Sequence, residues 1–252
     1  MTLLINEIHV YGNLQSSFIL QIADRRITSD GVFVGNHKKL FKIPYLNACV
    51  GYFGLAQIKS NVYFSNWISN FISHSSSCVS LEDFGKQLCE CLNTVIDKTL
   101  LEKNPSGLHI CGYNIKNLPE MWFVRNIEGM DGNTYKGFKK SYFVDEQFLN
   151  GTAREQGFDG TNPVVNNNFI SYYINGDVRP FHLIWRRLDE FVEPMLSGSN
   201  FKHLKVVDDL DLADIAKWKM QVISTFYQQF AKKKTIGTPS DVFVLRPIRT
   251  LE

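Results

Sequence analysis

The 252-residue sequence has little of what marks membrane proteins, secreted proteins or nucleic-acid-binding proteins. No apolar run approaches the roughly 20 residues of a membrane-spanning helix, and the first residues lack the basic start and apolar core of a secretory signal. The formal net charge is only +2, from 27 basic and 25 acidic residues, whereas nucleic-acid-binding domains are usually strongly basic. We therefore expect a cytoplasmic protein that binds neither membranes nor nucleic acids.

Patterns typical of metal sites and phosphate-binding loops are also missing. The six histidines are scattered, and the five cysteines show no paired metal-binding spacing. Cys89 and Cys91 are separated by one residue, which is too close for the usual zinc hairpin. No glycine-rich phosphate loop of the usual pattern occurs. We expect reduced thiols and no metal or other cofactor.

The sequence does contain enough apolar residues to bury a sizeable core. It is 44% hydrophobic and 13% aromatic, which argues against intrinsic disorder. No internal repeat, low-complexity run or linker divides the chain. A single domain over residues 1–252 is therefore predicted.

The first hundred residues change from strand-like to helix-like patterning. Alternation and turn signals predict strands over residues 2–11, 17–28, 31–44 and 47–54. Gly12 and Asn13 are predicted to form the first turn. Apolar spacings of three and four then predict helices over residues 55–73 and 80–100.

The same succession returns in the second half. Strands are predicted over residues 108–114, 120–129 and 168–177, and a turn followed by a strand over 235–247. Helices are predicted over residues 178–196 and 208–234. Residues 131–168 are rich in glycine and asparagine and are predicted to be an insertion or long loop. Because strands and helices come in separate blocks, we expect an α+β fold: two antiparallel sheets packed face to face, with helix pairs outside.

Four short stretches, taken in order, resemble one family. The stretches are "ADRRIT" (23–28), "NHKKLFKIP" (36–44), "NACVGYFGLA" (47–56) and "KKKTIGTPSDVFVL" (232–245). They look like motifs of the β-type subunits of proteasomes and their bacterial relatives, which include the protease subunit of heat-shock loci and ancestral-beta-subunit-like homologues. These proteins belong to the N-terminal-nucleophile hydrolases. The resemblance implies their fold, a four-layer αββα sandwich.

The resemblance also implies roles for individual residues. Thr2 would be the nucleophile once Met1 is removed, and Asp24 and Lys39 would be the catalytic aspartate and lysine. The backbone N–H of Gly54 would stabilise the oxyanion. Tyr52 and Ala56 would line the substrate pocket.

These residue types suit acyl transfer. A threonine hydroxyl is a weak nucleophile, and an adjacent α-amino group, which titrates near neutrality, can accept its proton. The ammonium group of Lys39 would favour loss of that proton, and Asp24 would hold Lys39 and compensate its charge. Gly54 would let the backbone approach the substrate carbonyl.

Simpler interpretations exist for each residue taken alone. Any small residue can follow Met1, Asp24 could form a surface ion pair with Arg25 or Arg26, and Lys39 could belong to a solvated face. The order of the motifs after Thr2 favours the family. Members of the family commonly carry an outer serine in a glycine turn before the third helix, and an aspartate and a serine before the last strand. No serine is recognised in the corresponding segments, 174–177 and 233–237, so the outer group stays unassigned.

The resemblance therefore predicts a threonine-type endopeptidase that hydrolyses peptides or unfolded proteins. It further implies self-association into a ring or other oligomer, and an ATPase unfoldase as a candidate partner. Four helix residues are suggested as subunit contacts: Val62, Phe64, Trp67 and Phe71. Two alternatives stay open: a non-catalytic scaffold or assembly subunit that retains Met1, and a small-molecule amidase of the same superfamily.

Overall fold

The computed structural model describes residues 2–11, 16–29, 32–128, 133–144, 169–197 and 208–248. These residues form an α+β fold in which all the strand pairs are antiparallel. The predicted α+β class with antiparallel sheets is thereby confirmed. Within the described part of the chain, none of the helices has the length and apolar character needed to span a bilayer.

Thirteen strands are described, in two larger sheets and two small hairpins. In chain order they are β1 (Leu3–Val10), β2 (Phe18–Asp24), β3 (Arg26–Ser29), β4 (Val32–Asn36), β5 (Leu40–Ile43), β6 (Ala48–Phe53), β7 (Gln57–Lys59), β8 (Val62–Tyr63), β9 (Gly107–Tyr113), β10 (Pro119–Glu128), β11 (Asn133–Val144), β12 (Phe169–Gly176) and β13 (Ser240–Leu245). The sheet orders are β12-β1-β2-β13 and β11-β10-β9-β6-β5, and the hairpins are β3-β4 and β7-β8.

Five α-helices accompany these sheets in the described residues. They are α1 (Phe64–His74), α2 (Leu81–Val95), α3 (Lys98–Lys103), α4 (Arg186–Ser197) and α5 (Asp209–Phe230). A π-helical turn at Phe181–Trp185 leads directly into α4. Helix α2 contacts β9, β10 and β11, whereas α5 contacts β2 and β13.

Strand β1 is apolar on both of its faces, which explains the run of apolar residues at its start. Leu3 and Ile5 pack in one cluster with residues of α5, whereas Leu4 and Ile8 point the other way, toward residues of the five-stranded sheet. Successive side chains of a strand alternate between its faces, so a strand buried on both faces loses the usual polar alternation.

Helices α2 and α5 begin where the sequence predicts, because both have good N-caps. The Ser80 hydroxyl accepts a hydrogen bond from the backbone N–H of Asp83. Asp208 and Asp211 form a reciprocal capping box at the start of α5. Such caps satisfy backbone N–H groups that have no partner inside the helix.

The predicted helix over residues 55–73 is wrong in its first part, since α1 begins only at Phe64. The preceding residues form the β7-β8 hairpin, which turns at Asn61 with a left-handed backbone (φ 61°). The four suggested subunit contacts differ in exposure. Phe64 is buried against Tyr52, Trp67 and Phe71 are partly buried against the same core, and Val62, in β8, is 37% exposed.

Two other predicted elements are also divided: the strand over 31–44 forms β4 and β5, and the helix over 80–100 forms α2 and α3. Further differences lie at strand ends and in the long segment. The predicted strand over 17–28 divides at Arg25 into β2 and β3, which belong to different sheets. Part of the segment predicted as a long loop forms β11, which extends the larger sheet beside β10. The rest of that segment, residues 131–132 and 145–168, and the predicted turn at Gly12 and Asn13 lie outside the described residues.

Candidate active site at Thr2

Lys39 and two of its three hydrogen-bond acceptors are buried. Its Nζ donates to Oγ1 of Thr2 at 2.6 Å, to the backbone carbonyl of Arg26 at 2.7 Å and to Oδ2 of Asp24 at 3.3 Å. Thr2, Asp24 and Lys39 are only 4%, 0% and 1% exposed. An ammonium group has three N–H donors, so each of them has an acceptor here. The structure thus brings together three residues that are far apart in sequence.

Three chain segments position these side chains. Thr2 immediately precedes β1, Asp24 is the last residue of β2, and Lys39 immediately precedes β5. The Asp24 carboxylate also accepts from the backbone N–H of Leu3 at 3.1 Å and of Arg26 at 3.0 Å. Asp24 therefore fixes both the start of β1 and the backbone on its own C-terminal side.

The position of Asp24 explains why the predicted strand divides. The backbone of Arg26 turns toward the Asp24 carboxylate, and Arg25 leaves the sheet to form a bidentate ion pair with Asp241 of β13. The carbonyl of Arg26 then points at Lys39 Nζ. The break in the ladder is what makes this third acceptor available.

Burial governs the electrostatics of the pair. Loss of water lowers the pKa of Lys39, although attraction to Asp24 opposes the change. Burial likewise raises the pKa of Asp24, against the effects of Lys39 and of two backbone N–H groups. An ammonium with a lowered pKa is a stronger acid, and it therefore stabilises a negatively charged oxygen on Thr2 more effectively.

The backbone of Thr2 is held from a second side. Its carbonyl accepts from the N–H of Asp177 at 2.8 Å, directly after β12. Gly176 has a left-handed backbone (φ 88°), and a Cβ there would lie only 1.7 Å from the Thr2 carbonyl oxygen. Only glycine allows this close approach.

A hydrogen-bond network of residues that were not predicted as site residues holds Asp177 in contact with the Thr2 carbonyl. The Asp177 carboxylate accepts two hydrogen bonds from Arg179, at 2.8 and 2.7 Å, and one from the Tyr227 hydroxyl at 3.0 Å. Burial alone would raise the pKa of Asp177, but these hydrogen bonds and the Arg179 charge together lower it. Through Tyr227, α5 thus helps to hold the backbone at Thr2.

The predicted pocket residues have different positions. A cavity of about 420 Å³ has an apolar wall formed by Ile27, Val34, Leu55, Ala56 and Leu100. Ala56 lines this cavity, whereas Tyr52 is buried, is not part of the lining and stacks on a phenylalanine of α1.

Gly54, the predicted oxyanion residue, lies at the end of β6 next to this cavity wall. Its backbone is left-handed (φ 92°), and a Cβ would lie 2.3 Å from the carbonyl oxygen of Pro105. The N–H of Tyr52, two residues earlier, donates to the Lys39 carbonyl at 3.1 Å. This bond connects the backbone leading to Gly54 with the residue that binds Thr2.

The turn before β13 also reaches this region. The Arg26 side chain donates to the carbonyl of Lys234 at 2.7 Å, and the next residue, Thr235, is buried. The same Arg26 supplies the carbonyl that binds Lys39. The segment in which no outer serine was recognised therefore lies against a residue of the site.

Neither a family model nor a curated protein matches this chain. In the described part of the molecule, no group of three or more histidine, cysteine, aspartate or glutamate side chains could hold a metal ion.

Residues that the sequence analysis did not assign complete the site. Asp177 and Arg179 flank the turn after β12, and Tyr227 comes from a helix 50 residues further on. The only signal in the sequence was the glycine followed by an aspartate at the end of a predicted strand. The contribution of Tyr227 depends on the packing of α5 and has no local signature.

Proposed function

We propose that this protein is a threonine-type peptidase of the proteasome-like N-terminal-nucleophile class. One observation carries the proposal: a buried lysine donates to the Thr2 hydroxyl at 2.6 Å while an aspartate and a backbone carbonyl occupy its other donors. Such an environment activates a hydroxyl for nucleophilic attack.

The reaction requires Thr2 as the first residue, after removal of Met1. Its Oγ1 would then attack the carbonyl carbon of the substrate and pass its proton to its own α-amino group. The Lys39 ammonium would stabilise the charge on Oγ1, and the N–H of Gly54 the charge on the carbonyl oxygen.

Breakdown of the tetrahedral intermediate completes the first half of the reaction. The α-ammonium group would return the proton to the leaving amine as the C–N bond breaks, leaving an ester on Thr2. Water activated by the same amine would then hydrolyse the ester, regenerating the hydroxyl and releasing the acid. No metal or other cofactor takes part in this scheme.

The fold class proposed with this activity is the four-layer αββα sandwich. Its support is the pattern of contacts: one face of each larger sheet packs with helices, and the other faces share clusters that include Ile8, Cys111 and Met121. The cavity wall favours an apolar substrate side chain next to the cleaved bond. Peptides or unfolded proteins in the cytoplasm, self-association and an ATPase unfoldase belong to the same proposal.

Peptide hydrolysis by matched variants tests the activity. We expect the native chain to cleave fluorogenic peptides with an apolar residue before the reporter, and Thr2→Ala to lose at least about 10³-fold in kcat/KM because the nucleophile is gone. Thr2→Ser keeps a hydroxyl and is expected to retain measurable turnover.

Equal turnover by the native chain and Thr2→Ala would contradict the proposal. Retained Met1 in the intact mass, together with no turnover, would instead support a non-catalytic scaffold. Turnover of small amides but not of peptides would support an amidase.

A further inference from the structure

The two helical sides of the molecule differ in how much apolar surface they expose. Among the described residues, α1 and α2 expose no large hydrophobic side chain. Helix α5 exposes Trp218, Phe226 and Phe230 by 43%, 49% and 69%. Exposed aromatic groups of this kind mark interaction surfaces.

These side chains form one continuous surface. Trp218, Val222, Phe226 and Phe230 follow each other at intervals of four residues, and we call them the α5 stripe. Residues spaced by four lie along one side of a helix. A depression of about 460 Å³ adjoins the stripe at Phe226 and is walled on its other side by Leu183 and Ile184.

Opposite charges lie at the two ends of the stripe. Asp208, Asp211 and Asp214 are exposed at the N-terminal end of α5, and Lys232, Lys233 and Lys234 are exposed just past its C-terminal end. This distribution follows the helix dipole, which favours acidic residues at the first turn and basic residues after the last. Because the two ends of the stripe carry opposite charges, the orientation of a partner on this surface matters.

We propose that the α5 stripe binds the α5 stripe of a second copy of this chain, with the two helices antiparallel about a two-fold axis. An antiparallel arrangement places the acidic end of each helix opposite the lysines of the other. An interface of this kind is self-complementary, as a two-fold axis requires. The inference specifies the self-association in the proposed function and in that respect rests on it.

One register pairs both the apolar residues of the stripe and the charges at its ends. If Trp218 lies opposite Phe230 of the other copy, the two-fold axis passes level with Ser224, and Val222 lies opposite Phe226. The same register places Asp214 opposite Lys234. The apolar stripe is then centred on the axis, with opposite charges facing each other at both ends.

A second copy explains this surface better than other occupants do. A membrane with acidic lipids would attract the lysines but repel the three aspartates on the same helix. An acidic peptide would meet the same repulsion along half of its length. Only a helix with the same distribution of charges, lying antiparallel to α5, places opposite charges at both ends of the stripe.

Sedimentation velocity of the full chain over a range of concentrations tests the interface. We expect the native chain to self-associate and Val222→Glu to weaken association by at least about tenfold, because it places two carboxylates beside the axis. The matched control is Val79→Glu, which makes the same change at a 78% exposed valine before α2. It is expected to associate like the native chain.

Charge exchange tests the direction of the helices. The double variant Lys232→Glu with Lys233→Glu is expected to weaken association, and adding Asp214→Lys is expected to restore part of it. Weakening without restoration would contradict the antiparallel arrangement. A native chain that is monomeric at every concentration, or equal weakening by Val79→Glu and Val222→Glu, would overturn the inference.

The Thr2→Ala variant separates this inference from the peptidase activity, since we expect it to associate like the native chain. A chain that associates through the stripe but hydrolyses nothing would support the inference and contradict the proposed activity. A monomer that hydrolyses peptides would do the reverse.

Discussion

Two lysines among the described residues are almost fully buried, and their surroundings differ. Lys39 has one carboxylate partner, Asp24, and donates to the hydroxyl of Thr2. Lys219, in α5, has two: Asp189 at 2.6 Å and Glu7 at 3.6 Å. It also lies 4.0 Å from the centre of the Trp185 ring.

In our proposal, this difference separates a structural ion cluster around Lys219 from a reactive one around Lys39. Glu7 is itself bonded to His9 and to the indole N–H of Trp185, so the Lys219 cluster is closed by carboxylates and aromatic groups. Lys39 directs one donor to a hydroxyl, and Ile27, which follows the Arg26 whose carbonyl also binds Lys39, lines the cavity. A buried lysine in itself therefore does not indicate catalysis, and our proposal rests on the hydroxyl to which Lys39 donates.

Removing each lysine in turn should give the largest and most distinct effects. We expect Lys39→Met to lower kcat/KM by at least about 10³-fold, since the alkoxide of Thr2 loses its nearest charge. Lys219→Met is expected to lower the free energy of unfolding by about 3–5 kcal/mol, because it leaves Glu7 buried without its cation.

The loss of kcat/KM is measured as peptide turnover per folded molecule. The loss of stability is measured by unfolding in urea. Loss of turnover in Lys219→Met at full folding, or native turnover in Lys39→Met, would remove the distinction between the two clusters.

Gly176 tests how tightly the backbone at Thr2 must be held. Gly176→Ala is expected to cost about 1–3 kcal/mol from its left-handed backbone alone, and its Cβ also displaces the Thr2 carbonyl. We therefore expect both stability and kcat to fall. Gly35→Ala is the control, because the nearest atom to its Cβ would lie 3.7 Å away. Equal behaviour of the two variants would contradict the role of the Gly176 turn.

The two clusters should respond to acid with opposite signs. Burial raises the pKa of Glu7, but His9, Lys219 and Trp185 together lower it below 4.5. Glu7 therefore adds stability above pH 4.5, which is lost as the pH falls through its folded pKa. The raised pKa of Asp24 has the opposite effect, so its contribution declines as the pH rises from 3.8.

Thermal unfolding against pH measures this difference. We expect the stability gap between the native chain and Glu7→Gln to shrink toward acid pH, and that between the native chain and Asp24→Asn to change in the other direction. If the stability of the two variants relative to the native chain changed with pH in the same direction, the predicted difference between Glu7 and Asp24 would be contradicted.

Substitution of Ala56 should have the smallest effect, and it should change only which peptides are cleaved. Ala56→Leu narrows the cavity, so we expect kcat/KM for peptides with a leucine before the cleaved bond to fall by about tenfold. Peptides with alanine at that position should change little. An equal loss for both peptides would show that the cavity does not bind this side chain.

The sequence predicts most of the elements because their signals are local. The cap at Ser80 and the capping box at Asp208 are read within four residues of chain. The predictions of strands and helices are wrong where the local structure differs from what the neighbouring sequence favours. Arg25 leaves the predicted strand to reach Asp241, and the predicted helix before Phe64 gives way to a hairpin at Asn61.

The residues of the site also divide into those with a local signal in the sequence and those placed by distant contacts. Thr2, Asp24 and Lys39 were named from short motifs whose order resembles a known family. Asp177 and Tyr227 were not, because Tyr227 reaches the turn after β12 only through the packing of α5 against the four-stranded sheet. Tyr52 was assigned to the pocket, but it is buried, stacks on Phe64 and is not part of the lining.

Mass spectrometry of the N-terminal peptide, after incubation of the native protein with a peptidyl β-lactone, tests the central claim most directly. A β-lactone acylates an activated hydroxyl and leaves a stable mass increment on it. We expect a peptide that begins at Thr2 and carries one acyl group on that residue, with no adduct in Lys39→Met. An unmodified N-terminal peptide that still begins with Met1 would contradict the assignment of Thr2 as the nucleophile.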